Sequence, residues 1–251
     1  MADTVEKAAA LLQGTQRILI FTGAGISTES GIPDFRGPSG LWKTANPDDF
    51  TLSNYVRDSG FRRAAWERRF NSPLRDARPN AAHEAVTQLW NGGRMIGCIT
   101  QNIDGLHQAA GLPAEAIVEL HGNAEGIRCL DCGTKAHPED VETRWLGGDP
   151  DPACSVCGGV LKSTVVYFGE MLPARALATS GAWTEDADAV IVVGSSLSVY
   201  PAAGIPLEVA ARGAPFVILN DGPTSHDDHA AVRLEGRAGA LLPALVAILT
   251  E

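Results

Sequence analysis

The sequence predicts an α/β protein: a parallel, doubly wound sheet accompanied by a second, smaller lobe. Three observations support this prediction. Short apolar segments alternate with helical or irregular segments, a glycine-rich turn follows the first apolar segment, and two cysteine pairs lie in the second half of the chain. Such alternation is typical of parallel sheets, and 251 residues can bury a large core in one or two domains.

The spacing of apolar residues places the elements along the chain. Alanines and leucines at helical spacing predict a leading helix over residues 4–13, and related patterns predict helices at 81–90, 207–212 and 239–250. Short runs rich in β-branched or aromatic residues predict strands at 17–22, 95–100, 117–120, 165–168, 189–193 and 216–219.

Two stretches interrupt this alternation. Residues 38–78 are rich in aromatic and charged residues and predict a small helical insertion, whereas residues 123–162 hold both cysteine pairs and predict a zinc ribbon. The sheet domain is then expected to comprise residues 1–37, 79–122 and 163–251. A cleft between the sheet domain and a lobe made of the two insertions is the natural place for a substrate.

Composition limits the classes of partner. The formal charge of -10, from 30 acidic against 20 basic residues, argues against nucleic acid or an anionic membrane surface and suits a basic peptide. No stretch approaches the roughly 20 apolar residues that cross a bilayer, and the first residues lack the character of a signal peptide. We therefore expect a cytoplasmic protein that binds neither membranes nor nucleic acid.

The cysteine pairs have the spacing of a zinc site. Cys129 and Cys132 are followed, after 21 residues, by Cys154 and Cys157. Four thiolates close a tetrahedral Zn²⁺ site with no position left for water, which is typical of one structural zinc. Two disulfides are the alternative, and a reducing compartment disfavours them. Cys98 lies in an apolar strand segment and is most simply a buried core residue.

The turn after the first strand predicts anion binding. Gly23 and Gly25 allow a sharp turn that brings backbone N–H groups close to a pyrophosphate. The strict G-x-G-x-x-G pattern fails because Thr28 stands at its third glycine, so a tight turn without a ligand is the alternative. The residues that follow the turn add three groups that phosphate binding alone does not require: the acid Asp34, the aromatic face of Phe35 and the cation Arg36.

Other predicted strands also end in polar residues. Asn102 and Asp104 follow one strand and converge on one side of it, where they can hold an amide group or cap a turn. His121 ends another strand and is a candidate general base, although a structural role is the alternative. Residues 194–196 and 220–222 follow two later strands. Together these turns line one sheet edge with enough area for a dinucleotide.

In these residues the chain resembles the sirtuins, which are NAD-dependent protein-lysine deacylases. The resemblance rests on G-A-G-I-S-T-E-S-G-I-P-D-F-R at 23–36, Q-N-I-D at 101–104, H-G at 121–122, both cysteine pairs, F-G-E at 168–170, G-S-S at 194–196 and the turn at 220–222. It implies a Rossmann-type domain with a zinc-ribbon and helical lobe. It also implies transfer of an acyl group from lysine to ADP-ribose, with release of nicotinamide.

The resemblance further implies roles for individual residues. His121 matches the general base, Asn102 lies near the ribose and the attacking water, and Asp104 contacts the nicotinamide carboxamide. The remaining cofactor contacts that it implies are Gly23, Ala24, Gly25, Ile26, Ser27, Asp34, Phe35, Arg36, Trp42, Gln101, Ile103, Gly194, Ser195, Ser196, Asn220, Asp221, Gly222 and Ala238. The substrate contacts that it implies are Arg68, Val166, Phe168, Gly169 and Glu170, with backbone pairing along the last four.

Departures from the family pattern bear on the acyl group. Relatives that remove succinyl or malonyl groups carry Tyr-x-x-Arg in the helical insertion, and the alignment places Ala65 and Arg68 there. Without the phenol, acetyl or longer neutral acyl groups are the expected substrates. Two alternatives stay open at this stage: mono-ADP-ribosyl transfer, and a non-catalytic zinc module that senses NAD. A nucleic-acid zinc ribbon is disfavoured because residues 123–162 are not basic.

Overall fold

A computed structural model describes residues 2–37 and 40–251. Met1, Pro38 and Ser39 lie outside the described residues, and with them the predicted domain boundary at residue 38. The helices are α1 (Ala2–Leu12), α2 (Leu52–Arg57), α3 (Ser59–Phe70), α4 (Ala81–Asn91), α5 (Leu106–Ala109), α6 (Pro138–Leu146), α7 (Ala174–Asp186), α8 (Gly204–Ala210) and α9 (Ala238–Thr250). The strands are β1 (Ile18–Thr22), β2 (Met95–Thr100), β3 (Ile117–Glu119), β4 (Ile127–Cys129), β5 (Lys135–Ala136), β6 (Leu161–Ser163), β7 (Ala189–Val193), β8 (Phe216–Asn220) and β9 (Val232–Glu235).

Six of the strands form the predicted parallel sheet. Their order is β3-β2-β1-β7-β8-β9, and every neighbouring pair is parallel. The chain fills one half of the sheet outward from β1 and the other half outward from β7. The strand order therefore reverses between β1 and β7, and ligands of such sheets bind beyond the carboxyl ends of the strands at this point.

Apolar side chains bury both faces of this sheet. Every residue of β1 and of β7 is buried, as continuous apolar runs in central parallel strands require. One face packs against α1, α4 and α9, and the other packs against α7 and α8. No helix among residues 2–37 and 40–251 combines the length and apolar character needed to cross a bilayer.

The two insertions share a separate core. Strands β5, β4 and β6 form a small antiparallel sheet, against which α3 and α6 pack through Trp66, Phe70 and Val141. Trp66 stacks on Phe70 with ring centroids 5.7 Å apart. An ion pair of 2.8 Å between Arg62 and Asp151, both largely buried, links the helical insertion to the ribbon. The helical insertion and the ribbon thus form one lobe.

The structure confirms most of the predicted elements and corrects one. Residues 165–168 are not a strand; Phe168 forms a single parallel bridge with Thr51, and the N–H of Val166 donates to the carbonyl of His121. The segment passes from the small sheet to the large one, so its backbone pairs with loops instead of a neighbouring strand. Strand β9 was not predicted; its residues 232–235 alternate apolar and charged side chains at the edge of the sheet.

Arg94 joins the carboxyl ends of two helices on one face of the sheet. Its guanidinium donates to the carbonyls of Leu12, Gln13 and Thr15 at the end of α1 and to the carbonyl of Leu249 at the end of α9. These carbonyls lack partners within their helices, and a cation there is also favoured by the helix dipoles.

We expect Arg94→Ala to lower the free energy of unfolding by about 2 kcal/mol or more, because several charge-assisted hydrogen bonds are lost together. Urea denaturation measures the change. Arg78→Ala is the matched control, since among residues 2–37 and 40–251 the Arg78 side chain donates only to the carbonyls of Asp76 and Ala77 within its own turn. Equal stability of the two variants would contradict the prediction.

Candidate active site

A cleft of about 2380 Å³ opens at the carboxyl edge of the parallel sheet, where the strand order reverses. Both lobes line it: the turns after β1, β2, β3, β7 and β8 form one wall, and residues of the helical insertion and residues 165–170 form the other. All of the residues predicted to bind cofactor or substrate line this cleft except Ile26 and Ala238. Ile26 belongs to the core cluster, and Ala238 is buried at the start of α9. Neither side chain lines the cleft, and the two contacts stay predictions.

Three glycines fix the centre of the cleft. The N–H of Gly25 donates to the carbonyl of Gly194 at 2.8 Å, so the turns after β1 and β7 touch through their backbones. A Cβ on Gly25 would stand 2.7 Å from the Cα of Gly194, and one on Gly23 would stand 2.8 Å from the carbonyl oxygen of Gly194. Gly194 itself has a φ of +64°. Side chains at these positions would force the two turns apart.

A 3₁₀-helix, Ala24–Ser30, follows the glycine turn. The hydroxyl of Thr28, which replaces the third glycine of the usual pattern, donates to the carbonyl of Gly25 at 3.0 Å. Thr28 is exposed, so no close packing at its position requires a glycine. The turn is therefore compatible with phosphate binding even though the strict glycine pattern fails.

Ser27 connects the amide and the carboxylate that follow β2. Its buried hydroxyl donates to Oδ2 of Asp104 at 2.7 Å and accepts from Nδ2 of Asn102 at 3.1 Å. Nδ2 of Asn102 also lies 3.2 Å from the carbonyl of Gly23. The structure thus brings Asn102 and Asp104 together at the glycine turn. Oδ1 of Asp104 accepts from the N–H of Leu106 at 3.0 Å, so both carboxylate oxygens are held in place and each keeps a lone pair for a ligand.

Two buried histidines stand behind this group. Nδ1 of His83 accepts from the N–H of Asn80, so Nε2 carries the hydrogen and faces the Ser27 hydroxyl at 3.4 Å. Burial lowers the pKa of His83 to about 4, although Asp104 opposes this. Burial, and then the neighbouring His83, lower the pKa of His107 to about 3. Both imidazoles are therefore neutral near pH 7 and support the site structurally.

His121 is arranged as a base. Its Nδ1 lies 3.0 Å from the carbonyl of Gln101, and a carbonyl can only accept, so Nδ1 carries the hydrogen and Nε2 keeps its lone pair. Burial lowers the pKa of His121, and the bond to Gln101 opposes this. The side chain of Gln101 donates to the Ser195 hydroxyl at 2.9 Å. Gln101 thus joins the ends of β2, β3 and β7.

Aromatic rings form the rim toward the small lobe. Trp42 lies against Phe35, Phe50 and Phe168, with ring centroids 5.1, 5.3 and 6.2 Å apart. Arg68 stacks over Phe50 at 5.1 Å and donates to the carbonyl of Asp49. Asp34 accepts from the N–H of Gly37 and so supports the turn that carries Phe35. Phe50 was not among the predicted site residues, and its only signal in the sequence is the aromatic and charged composition of residues 38–78.

The turns after β7 and β8 form the end of the cleft away from the small lobe. The hydroxyls of Ser196 and Ser198 lie 3.0 Å apart, and Nδ2 of Asn220 donates to the carbonyl of Gly222 at 2.9 Å. Asp221, between Asn220 and Gly222 in the chain, is exposed. Hydroxyl, amide and carboxylate groups at this edge suit the phosphates and sugar of a nucleotide.

The four paired cysteines form a cluster suited to zinc. Cys129, Cys132, Cys154 and Cys157 bring their sulfur atoms within 4.8 Å of one another, with separations of 3.5 Å for Cys129–Cys157 and 3.8 Å for Cys132–Cys154. Tetrahedral thiolates at a zinc–sulfur distance of about 2.3 Å stand about 3.8 Å apart. These separations are far longer than a disulfide bond, and all five cysteines are free. The donor set fits one structural zinc.

Comparisons with known proteins agree with this geometry. The model of the Sir2 family matches residues 23–201. The chain is 41% identical over 237 residues to NAD-dependent protein deacetylase 2 of Streptomyces coelicolor, covering 94% of this chain and 98% of the relative. It is also 41% identical over 251 residues to NAD-dependent protein deacylase 2 of Archaeoglobus fulgidus, covering 98% and 96%. A solved structure of Sir2 with a p53 peptide and NAD+ superposes with a TM-score of 0.86 at 36% identity, covering 97% of each chain.

We expect purified protein to contain one zinc per chain, and Cys129→Ser to lose the zinc and lower the melting temperature. The metal closes the ribbon, so its binding free energy contributes directly to folding of the small lobe. Elemental analysis and thermal melting measure the two effects. Cys98→Ala is the control, because Cys98 lies in β2 away from the cluster and should leave the zinc content unchanged. Loss of zinc without a change in melting would refute a structural role.

Proposed function

The chain belongs to the Sir2 family, and from this premise we propose that it is an NAD-dependent protein-lysine deacylase whose leading substrate is acetyl-lysine. The observation that carries the proposal is the meeting of His121 with Asn102 and Asp104 in one cleft, joined through Gln101 and Ser27. A module that only binds NAD does not require a base, whereas His121 is held with the lone pair of Nε2 available to accept a proton. The named relatives, a deacetylase and a deacylase, point to the same class of reaction.

NAD supplies an ADP-ribosyl acceptor for the acyl group, with nicotinamide as its leaving group. The side chains of the chain orient the reactants and move one proton. Ser27 holds the Asp104 carboxylate so that it can accept hydrogen bonds from a carboxamide. Nε2 of His121 accepts a proton from a ribose hydroxyl. The rings of Phe35, Trp42 and Phe168 exclude water from the same space.

We assign the other cleft residues by position. The turns containing Gly23–Ser27, Gly194–Ser196 and 220–222 hold the phosphates and adenosine, while Asp34, Phe35, Arg36, Trp42 and Ile103 surround the nicotinamide end. Arg68 and the backbone of residues 166–170 face the substrate. These assignments are supported by the resemblance to the family and by the lining of the cleft.

The domain division also remains our proposal. Residues 2–37, 79–122 and 163–251 form the NAD-binding domain, and residues 40–78 and 123–162 form the small lobe. The separate core around Trp66 and Phe70 supports this division. We also propose a cytoplasmic location, which suits four reduced thiols, and the acidic net charge favours protein substrates over nucleic acid.

We expect release of nicotinamide with an acetyl-lysine peptide and NAD, at a rate that falls at least about a hundredfold in His121→Ala, since a general base contributes about that much or more.

A succinyl-lysine peptide should react about tenfold more slowly than the acetyl peptide, because no phenol stands beside Arg68 to bind a carboxylate. Liquid chromatography of nicotinamide and peptide measures both rates.

Ala65→Tyr is the matched test of acyl preference, because Ala65 and Arg68 lie one turn apart on α3 and both line the cleft. The substitution should raise the succinyl rate relative to the acetyl rate. Absence of nicotinamide release above the His121→Ala level on every acyl peptide would refute deacylation. ADP-ribose attached to protein with no deacylated peptide would instead identify an ADP-ribosyltransferase.

The lowered pKa of His121 predicts the pH dependence. The imidazole acts in its neutral form, so activity is full above its pKa and falls as protonation begins. Because burial holds the pKa below the ordinary value of 6.5, kcat/KM should fall only below that pH. Initial rates between about pH 5 and 8 test this, with circular dichroism as the control for folding. A midpoint above 6.5 would contradict the assignment.

A further inference from the structure

Lys162 is a completely buried lysine that the proposed reaction does not use. The lysines at positions 7, 43 and 135 are exposed, whereas the Lys162 side chain is 0% exposed within β6. Burying an ammonium group without partners is costly, so its contacts indicate what it stabilises.

The ammonium group gathers acceptors from the segment that follows it. Nζ donates to the carbonyls of Ser163, at 2.8 Å, and Val165, and it lies 3.0 Å from Oε2 of Glu170. It also stands 4.6 Å from the centroid of the Tyr167 ring. A single cation thus holds the beginning and the end of residues 163–170.

Glu170 completes this arrangement from the other side. Its carboxylate is only 10% exposed, accepts from the N–H of Tyr167 at 3.1 Å and pairs with Arg128 at 2.7 Å. The N–H of Glu170 donates to the carbonyl of Tyr167, which closes a turn containing Gly169 at a φ of +82°. The carboxylate is therefore turned into the protein instead of toward a substrate.

The outer side of the segment is hydrogen-bonded to the turn that carries His121 and to the helical insertion. The N–H of Val166 donates to the carbonyl of His121 at 2.8 Å, and Phe168 exchanges hydrogen bonds with Phe50 and Leu52. Gly169 and Met171 line the cleft beyond these bonds. Among the residues that the structure describes, none forms a hydrogen bond with the backbone of Gly169 or Met171. Open backbone groups at a fixed edge can pair with an extended peptide.

We infer that Lys162 is a positioning residue for the peptide substrate: its buried ammonium and the Glu170 carboxylate hold residues 163–170 so that the backbone of Gly169 and Met171 is presented to an acyl-lysine peptide. This rests on the proposed function for the identity of the ligand. Neither residue touches the reacting atoms. Loss of Lys162 therefore weakens peptide binding and leaves the chemical step intact.

The test compares Lys162→Met, which keeps the volume without the charge, with Lys162→Arg, which keeps the charge. Lys162→Met should raise the KM of an acetyl-lysine peptide about tenfold, while kcat and the KM of NAD at saturating peptide stay within about twofold. Lys162→Arg should restore most of the peptide affinity. Lys7→Met, on the exposed face of α1, is the control and should match the unsubstituted protein.

Hydrogen exchange provides a readout that does not depend on turnover. The amides of Tyr167 and Glu170 should exchange at least about tenfold faster in Lys162→Met, whereas amides of β1 should not change. A structural role alone would lower the melting temperature without separating the KM of the peptide from kcat. Should Lys162→Met fail to fold, Glu170→Gln removes the same ion pair and should shift the peptide KM in the same direction.

A folded variant with unchanged peptide KM and unchanged exchange would overturn the inference, as would a fall in kcat with unchanged KM. Absence of turnover by the unsubstituted protein would instead refute the proposed function. In that case, hydrogen exchange would still test whether Lys162 holds the segment.

Discussion

The contact between the backbones of Gly23, Gly25 and Gly194 is the constraint on which the site depends. It joins the two halves of the sheet where the strand order reverses, and no side chain fits between them. Because the turn after β1 is held there, Ser27 reaches both Asn102 and Asp104. The positions of the polar side chains in the site therefore depend on the close approach of these backbones.

The polar groups of the site are rigid because each hydrogen bond fixes the next. The bond from Asn80 sets the tautomer of His83, which in turn leaves the Ser27 hydroxyl free to donate to Asp104. Neutral histidines serve this purpose better than charged ones, since a buried charge without a partner is costly. The carboxylate is thus oriented before a ligand arrives, which lowers the entropic cost of binding.

The sequence predicted the features that depend on local pattern. The continuous apolar runs of β1 and β7 identified central strands, and the cysteine spacing identified the metal cluster. Residues 165–168 were wrongly predicted as a strand, because their apolar pattern does not reveal that their partners are His121, Phe50 and Lys162. The role of His83 was inaccessible because its partner Ser27 lies 56 residues away in the chain. The role of Lys162 was inaccessible because it depends on the turn that brings Glu170 back to the ammonium group. Tertiary geometry, which local patterns do not encode, decides both cases.

The small lobe has its own hydrophobic cluster, in which Trp66 and Phe70 pack with residues of the ribbon and not with the parallel sheet. Substitutions there can reshape the wall that faces an incoming peptide while the dinucleotide end of the cleft stays as it is. Because that cluster is separate from the sheet, the choice of protein target can change while the chemistry of the reaction stays the same.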